Sequence, residues 1–479
     1  MERLHKIGTV KTLTSAEVTR SKLGIGFEKL DRAVFDPSGA YDHIGKLGIK
    51  PIRLQSGWAR TEKEKGVYDF SWLDEIVDAL TARGLEPWVC LCYGNGLYDE
   101  AAAKVFGAVG CPPIFTEEQK QAWKAYVEAL VRHFRDRVRM WEVWNEPDGV
   151  WCWKHGPSGT EYGRFVVDTA EAIRRADADA YVIGGSICIK DNEFLTDALN
   201  AGMGDVINGL TFHEYTPDER SVFKRVQVLR ALVRSYNPEI EIIQGESGSQ
   251  SRSDGCGALR GGAWTPKKQA KQLLRHETAD MLTDVKFSSY FTTVDMIEAL
   301  NGTVGDKASY LDYGYFGVLG ADFDENGIAC GTYTPKPSYY AFRNLAALFA
   351  DGVEVTELPV WDAASYSQRV FHEDFQGSGM ISGSFVRTAN RAYAYTYWNP
   401  SDLMTTEFFG TVSFAVAGKD IPLSDIHLID PLDGSVYEIP ASMMRVGSNG
   451  KLVRFDHLPV TDYPLFLTFG DFVGIEPLA

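Results

Sequence analysis

Met140-Trp-Glu-Val-Trp-Asn-Glu-Pro-Asp148 begins as a short apolar strand and ends on a residue that cannot continue one. Met140, Trp141, Val143 and Trp144 supply the apolar character, and Pro147 has no N–H to give to a sheet. Asn145 and Glu146 stand just ahead of that stop. Regular pleating would point them to opposite faces. Both reach one site only where the backbone leaves the pleat, which a strand end before proline permits. An acidic corner of this kind is common in α/β proteins, so its meaning depends on a second carboxylate elsewhere.

On either side of this strand, from about residue 23 to 348, short apolar runs alternate with amphipathic helical stretches, the pattern of parallel βα units. Strands are expected at 24–27, 50–55, 85–93, 181–186, 209–215, 240–245 and 286–292, with 140–144 as the fourth of eight. In 71–84 the apolar residues Leu73, Ile76, Val77 and Leu80 keep helical spacing and Gly84 is the stop. Thr116 is read as the cap of a helix to about 135, with Glu117, Glu118 and Gln119 in the first turn, where the dipole favours acids. Further helical patterns occupy 159–176, 190–201, 218–236, 266–284 and 337–350. Eight strands in such alternation over roughly 320 residues make a (β/α)8 TIM barrel with long loops. A doubly wound open sheet gives a similar alternation, but no glycine-rich phosphate fingerprint follows the first strand.

After about residue 351 helical periodicity gives way to short alternating strands at 391–399, 411–418 and 464–471, with Asn-Pro, Asp-Gly and Asn-Gly at the turns. This is the texture of an antiparallel β-sandwich. The chain therefore divides into a barrel domain, 14–350, and a sandwich domain, 351–479, to which residues 1–13 are expected to add a strand. An apolar interface is expected between the two.

Length, at 479 residues, suits one large and one smaller domain. Composition is that of a soluble globular protein, 44% hydrophobic and 24% charged. A net charge of −17 repels nucleic acid and anionic membrane surfaces, so neither is expected as a partner; a homo-oligomer stays open. No apolar run is long enough to span a bilayer, and the start has no apolar core of a secretory signal, which makes the expected compartment the cytoplasm. Seven scattered cysteines, an odd number, agree with a reducing environment; Cys90 and Cys92, two apart on one strand, suit neither a disulfide nor a zinc knuckle.

In a barrel the strand ends and following loops form the active face. Those positions carry Arg53 and Trp58 after strand two, Tyr93 and Asn95 after three, Asn145 and Glu146 after four, and His213, Glu214 and Tyr215 at six. Glu246 closes strand seven, and Tyr290 and Phe291 close eight. Strands four and seven stand nearly opposite in an eight-membered ring, so Glu146 and Glu246 face each other across the mouth with room for a sugar between. Glycoside hydrolysis needs such a pair: one carboxylic acid protonates the leaving oxygen, and one carboxylate attacks the anomeric carbon or activates water. Tyr215 by hydrogen bond and Arg53 by charge are placed to keep Glu246 ionised, and Asn145 to bind a hydroxyl beside the reacting carbon. Glu142 lies inside its strand and is read as the partner of a basic residue. Glu214, one residue out of phase, is read as facing a helix or solvent. Trp151, Trp153 and Trp264 are either sugar platforms or loop packing.

Trp-Asn-Glu-Pro closing strand four, a second Glu closing strand seven, and RTEKEKGVYDFSWLD (60–74) together resemble the retaining glycoside hydrolases of clan A. YTPKPSYYAFRNL (333–345) and the trailing β-sandwich are most similar to family 39, the β-xylosidase group. The resemblance implies Glu146 as acid/base, Glu246 as nucleophile and Asn145 as hydroxyl ligand; their places at strand ends and loops put Arg53, Trp58, Tyr93, Asn95, His213, Tyr215, Trp264 and Tyr290 around the substrate as further candidates. It implies an exo-acting β-xylosidase-like enzyme on plant-derived oligosaccharides, without metal or organic cofactor; α-L-arabinofuranosides and β-galactosides are the alternative substrates. The nucleophile segment departs from the family's usual Thr-Glu-Phe in reading Gly-Glu-Ser-Gly, and the tryptophan that closes strand eight in many clan members is replaced by Tyr290 and Phe291. A non-catalytic sugar-binding barrel would lack one carboxylate, and a metal-dependent hydrolase would need clustered ligands where His213 is the only strand-closing histidine.

Overall fold

Eight parallel strands close into a barrel: β1 (Leu23–Gly26), β2 (Pro51–Gln55), β3 (Glu86–Leu91), β4 (Met140–Val143), β5 (Tyr181–Ile187), β6 (Gly209–His213), β7 (Glu241–Ser247) and β8 (Ser288–Tyr290). They run in sequence order around the ring, β8 pairing with both β7 and β1. The computed structural model describes residues 1, 4–362, 379–418, 421–422, 425–448 and 450–478.

Strand β8 is shorter than its apolar run. Beyond Tyr290 the hydroxyls of Thr292 and Thr293 donate to the Gly26 carbonyl at 2.9 and 2.7 Å, joining the Thr293 N–H at 3.2 Å, so side chains supplement the ladder there. The helical periods are met by α1 (Ser71–Thr81), α2 (Glu117–Phe134), α3 (Gly159–Ala176), α4 (Arg220–Arg234), α5 (Pro266–Leu282) and α6 (Pro337–Phe349). Helix α1 buries Leu73, Ile76, Val77 and Leu80. Helix α2 opens on a complete capping box, Thr116 bonding the Gln119 N–H and Gln119 bonding back. Two hairpins fill the span between β8 and α6, one of which pairs Leu319–Phe323 with Ala329–Pro335. Neither was expected, although Asn326-Gly327, with Gly327 at φ +76°, is an ordinary hairpin signal.

The C-terminal part forms two antiparallel sheets, one of eight strands and one of four. The N-terminal strand His5–Val10 lies in the larger sheet, between Ser435–Glu438 and Ile475–Pro477. Where these sheets meet the barrel the contact is only partly apolar. Phe349 packs edge-on against Phe385 at 4.8 Å and Phe466 at 6.0 Å. Beside them Glu219 is buried between Arg275 and the Trp398 indole N–H, both 2.6 Å away, and Lys271 pairs with the buried Asp462 at 2.7 Å. The expectation of an apolar seam is corrected to one threaded by satisfied ion pairs. All seven cysteines are free, with Cys90 and Cys92 sulfurs 3.9 Å apart. Among the described residues no helix is long and apolar enough to cross a membrane.

Candidate active site

The chain leaves β4 through two left-handed residues, Trp144 at φ +68° and Glu146 at φ +47°. Both are non-glycine, and such backbone persists only where the surroundings over-determine it. Here they do. The Trp144 N–H bonds Leu91 O at 3.1 Å, its indole N–H bonds Cys152 O at 2.8 Å, and its ring is fully buried. The Glu146 N–H bonds Ser186 O on β5 at 3.1 Å. This is the break in pleating that Asn145 and Glu146 require to reach one site.

On β7 a register irregularity falls between Gln244 and Glu246 against the β6 neighbour, and Glu246 then stands beside His213. Gly245 makes that possible: a Cβ there would lie 3.1 Å from His213 Nε2 and 3.2 Å from Thr211 Cβ. The bulge turns Glu246 into the mouth.

Glu146, His213 and Glu246 each place one side-chain atom within 4.8 Å of the other two. His213 Nδ1 is 2.9 Å from Glu146 Oε1 and 3.6 Å from Glu246 Oε2. Tyr215 donates to Glu246 Oε2 at 2.7 Å, and Arg53 Nη1 donates to Glu246 Oε1. Arg53, with no exposed surface, also binds Glu142 Oε2 through Nε and Nη2 at 2.8 and 2.6 Å, and Asn145 Oδ1 through Nη2 at 2.8 Å. Glu142 is thus the arginine's structural partner. The Asn145 amide NH2 meets only the Cys152 sulfur, at 3.6 Å. On the outer side, the half-buried Trp151 donates its indole N–H to Glu146 Oε2.

The charges sort the titratable groups. Burial acts to raise the Glu246 carboxyl, but His213, Arg53, the Tyr215 hydroxyl and Lys29 outweigh it and hold Glu246 below the ordinary glutamate value. Burial acts to lower His213, and the two glutamates beside it prevail, raising its basicity. Burial and the Glu246 charge together push the Tyr215 hydroxyl well above its usual range, so it stays a donor. Among the described residues Glu146, His213 and Glu246 are the one trio of His, Cys, Asp and Glu side chains close enough to hold a cation. A divalent ion there would sit beside the Arg53 guanidinium, which opposes it.

Of the residues singled out from sequence, Arg53, Asn145, Glu146, His213, Tyr215 and Glu246 converge. Tyr93 lies one layer behind, its hydroxyl shared between Gln55 at 3.4 Å and Cys152 at 3.7 Å. Four others are corrected. Trp58 is fully buried, stacked on Tyr98 and Tyr126, with its indole N–H on Glu62 at 2.5 Å, because a short helix turns it inward. Asn95 uses its amide to hold its own loop, donating to Glu62 O at 3.0 Å and accepting from Leu97 N at 2.9 Å. Tyr290 packs on Phe342 of α6, in the layer outside the barrel wall. Trp264 is buried and bonds Leu259 O at 2.9 Å within its own loop. Trp153 is likewise core, and Glu214 pairs with Lys190 and the Ser221 hydroxyl. Glu28, two residues beyond β1, was missed. Its carboxyl lies 3.5 Å from Arg53 Nη1, and the rule that found Glu246, an acid just past an apolar strand, would have found it too.

Residues 47–200 match the family model for glycosyl hydrolases family 39. A β-xylosidase of Geobacillus stearothermophilus is 32% identical over 145 residues, 28% of this chain and 28% of that protein. A β-xylosidase of Caldicellulosiruptor saccharolyticus is 25% identical over 354 residues, 65% of this chain and 64% of that protein. The chain thus spans less than two thirds of either relative. Among solved structures, a family 39 glycoside hydrolase from the gut symbiont Bacteroides cellulosilyticus WH2 shares the fold with a TM-score of 0.64 at 18% identity, over 96% of this chain and 83% of that one.

Proposed function

We propose, from the premise that this chain belongs to the glycosyl hydrolases of family 39, that it is a retaining glycosidase acting on β-xylosides at the ends of plant-derived oligosaccharides. The observation that carries the retaining reaction is the pairing of Glu146 and Glu246 across the barrel mouth, and the two similar β-xylosidases suggest the sugar. One ligand atom of each lies within 4.8 Å of the other. That fits the carboxyl separation of about 5–5.5 Å used for retention rather than the roughly 6.5–9.5 Å that leaves room for water in inversion.

In this reading Glu246 is the nucleophile. Arg53, Tyr215 and His213 keep it ionised before attack and bind it again when the glycosyl ester is cleaved. Glu146 gives its proton to the leaving oxygen, whose bond to the anomeric carbon breaks as the Glu246 ester forms. It then takes a proton from the water that displaces Glu246. His213 Nδ1 lies 2.9 Å from Glu146 Oε1 and orients that carboxyl towards the mouth. Asn145 has its carbonyl oxygen fixed by Arg53, which leaves the NH2 to donate to the hydroxyl beside the anomeric carbon. We assign this site to residues 14–350 and treat residues 351–479, together with the N-terminal strand, as a second domain that buttresses the barrel; the buried Glu219–Arg275–Trp398 contact supports that division.

A panel of nitrophenyl glycosides tests the assignment. The β-xyloside should be cleaved at least about tenfold faster than the α-L-arabinofuranoside or β-galactoside, the discrimination that one well- or ill-fitting group supplies. Faster cleavage of either rival would replace the sugar, and no cleavage of any glycoside would overturn the activity.

A further inference from the structure

Arg53 faces more acids than it can serve. Its Nε and Nη2 are taken by Glu142 and Asn145, and Nη1 donates to Glu246. Glu28, 1% exposed, holds its Oε1 3.5 Å from that same Nη1 without a hydrogen bond, and no other group satisfies Oε1. Its Oε2 accepts from the Thr292 hydroxyl at 3.2 Å. The seat is built for this carboxyl: a Cβ on Gly26 would lie 2.1 and 2.3 Å from its two oxygens.

We propose that Glu28 is a positioning residue for the nucleophile, acting through Arg53. As a neutral acid it leaves Nη1 to Glu246; as a carboxylate it competes for that donor and adds a second negative charge beside Glu246. The groups facing it are Arg53 from β2, Glu246 from β7 and Thr292 after β8, with Glu142 on the far side of the guanidinium. Burial first, and then the Glu246 charge, outweigh Arg53 and push Glu28 up to about 7. Glu28 is therefore neutral below about pH 7 and releases its proton to water as the solution turns alkaline. The proposal rests on Glu246 being the nucleophile.

The test is the rate at which the 2-fluoro derivative of dinitrophenyl β-xyloside labels Glu246, followed by mass spectrometry from pH 4.5 to 9. The dinitrophenolate leaves unaided, so Glu146 does not shape this profile. Labelling of the wild type should decline through about pH 7. In Glu28→Gln the alkaline midpoint should move by at least about one pH unit. Should Glu28→Gln fail to fold, Glu28→Asp, which holds its titrating group one methylene farther from Nη1, must shift the midpoint. An unmoved midpoint in the folded variant, or a wild type without the decline, overturns the role of Glu28. Absence of label on Glu246 at every pH is a different outcome: it removes the nucleophile itself, and the Glu28 proposal with it.

Discussion

Four strands supply five side chains to a chain of contacts: Tyr215 and His213 near the end of β6, Glu246 on β7, Arg53 on β2 and Glu146 beyond β4. Tyr215 is the simplest member to test, because its hydroxyl makes one bond, to Glu246 Oε2. A hydrogen bond to a charged group contributes about 1.5–3 kcal/mol. Tyr215→Phe should therefore lower kcat/KM by roughly 10- to 100-fold. The sign of the pH effect follows from which form the hydroxyl favours. It stabilises the carboxylate and lowers the Glu246 pKa, so its loss raises that pKa and moves the acid arm of kcat/KM to higher pH. A pH–rate profile with the acid arm unmoved would show that Tyr215 does not hold the nucleophile ionised. Arg53, Tyr215 and Glu246 were legible in the sequence, because each lies at or just past the end of an apolar run. Trp58 and Trp264 were not, since an aromatic residue on a loop can face the mouth or the core, and tertiary packing decides which.

Helix α5 shows what periodicity does not reveal. It was readable as a helix, yet residues 269–281 are buried throughout, eight of them polar or charged. Wedged between barrel and sheets, it pairs several of them with partners from other elements: Gln269 with Ser249 and Ser338, Lys271 with Asp462, Arg275 with Glu219. Two acids have no cation. Glu277 accepts from the Ser247 hydroxyl at 3.0 Å, and Asp280 from the Ser288 hydroxyl at 2.7 Å. Burial raises both, Glu277 to about 7, and the neighbouring Glu277 charge raises Asp280 further. A carboxyl whose folded pKa exceeds its unfolded value contributes stability that is fully present below the unfolded value, near 4.5, and is lost as pH rises through the folded one, about 7. The melting temperature should accordingly fall between pH 5 and 8. Glu277→Gln, which cannot ionise, should gain on the wild type by about 2 °C over that interval. Parallel melting curves at both pH values would show that Glu277 stays charged in the folded protein.

At the scale of the molecule, two glutamates one hundred residues apart in sequence are brought within a few ångströms by the closure of the barrel. The alternation of strands and helices made that closure readable. What it left out are the hairpins between β8 and α6 and the ion-paired seam with the C-terminal sheets, because both depend on contacts between distant segments rather than on local period. The central claim is that the two carboxylates hold different offices, and the stereochemistry of azide products tests it most directly. Each glutamate is replaced by alanine, and an activated aryl β-glycoside is turned over in azide. Glu146→Ala still forms the Glu246 ester, which azide attacks without needing a base, so the glycosyl azide should keep the substrate's β configuration. Glu246→Ala has no nucleophile, and azide entering the vacant face should give the α product. Proton NMR distinguishes the two. A β-azide from Glu146→Ala and an α-azide from Glu246→Ala are the predicted result; the reverse pattern, or wild-type rates in both variants, would contradict it.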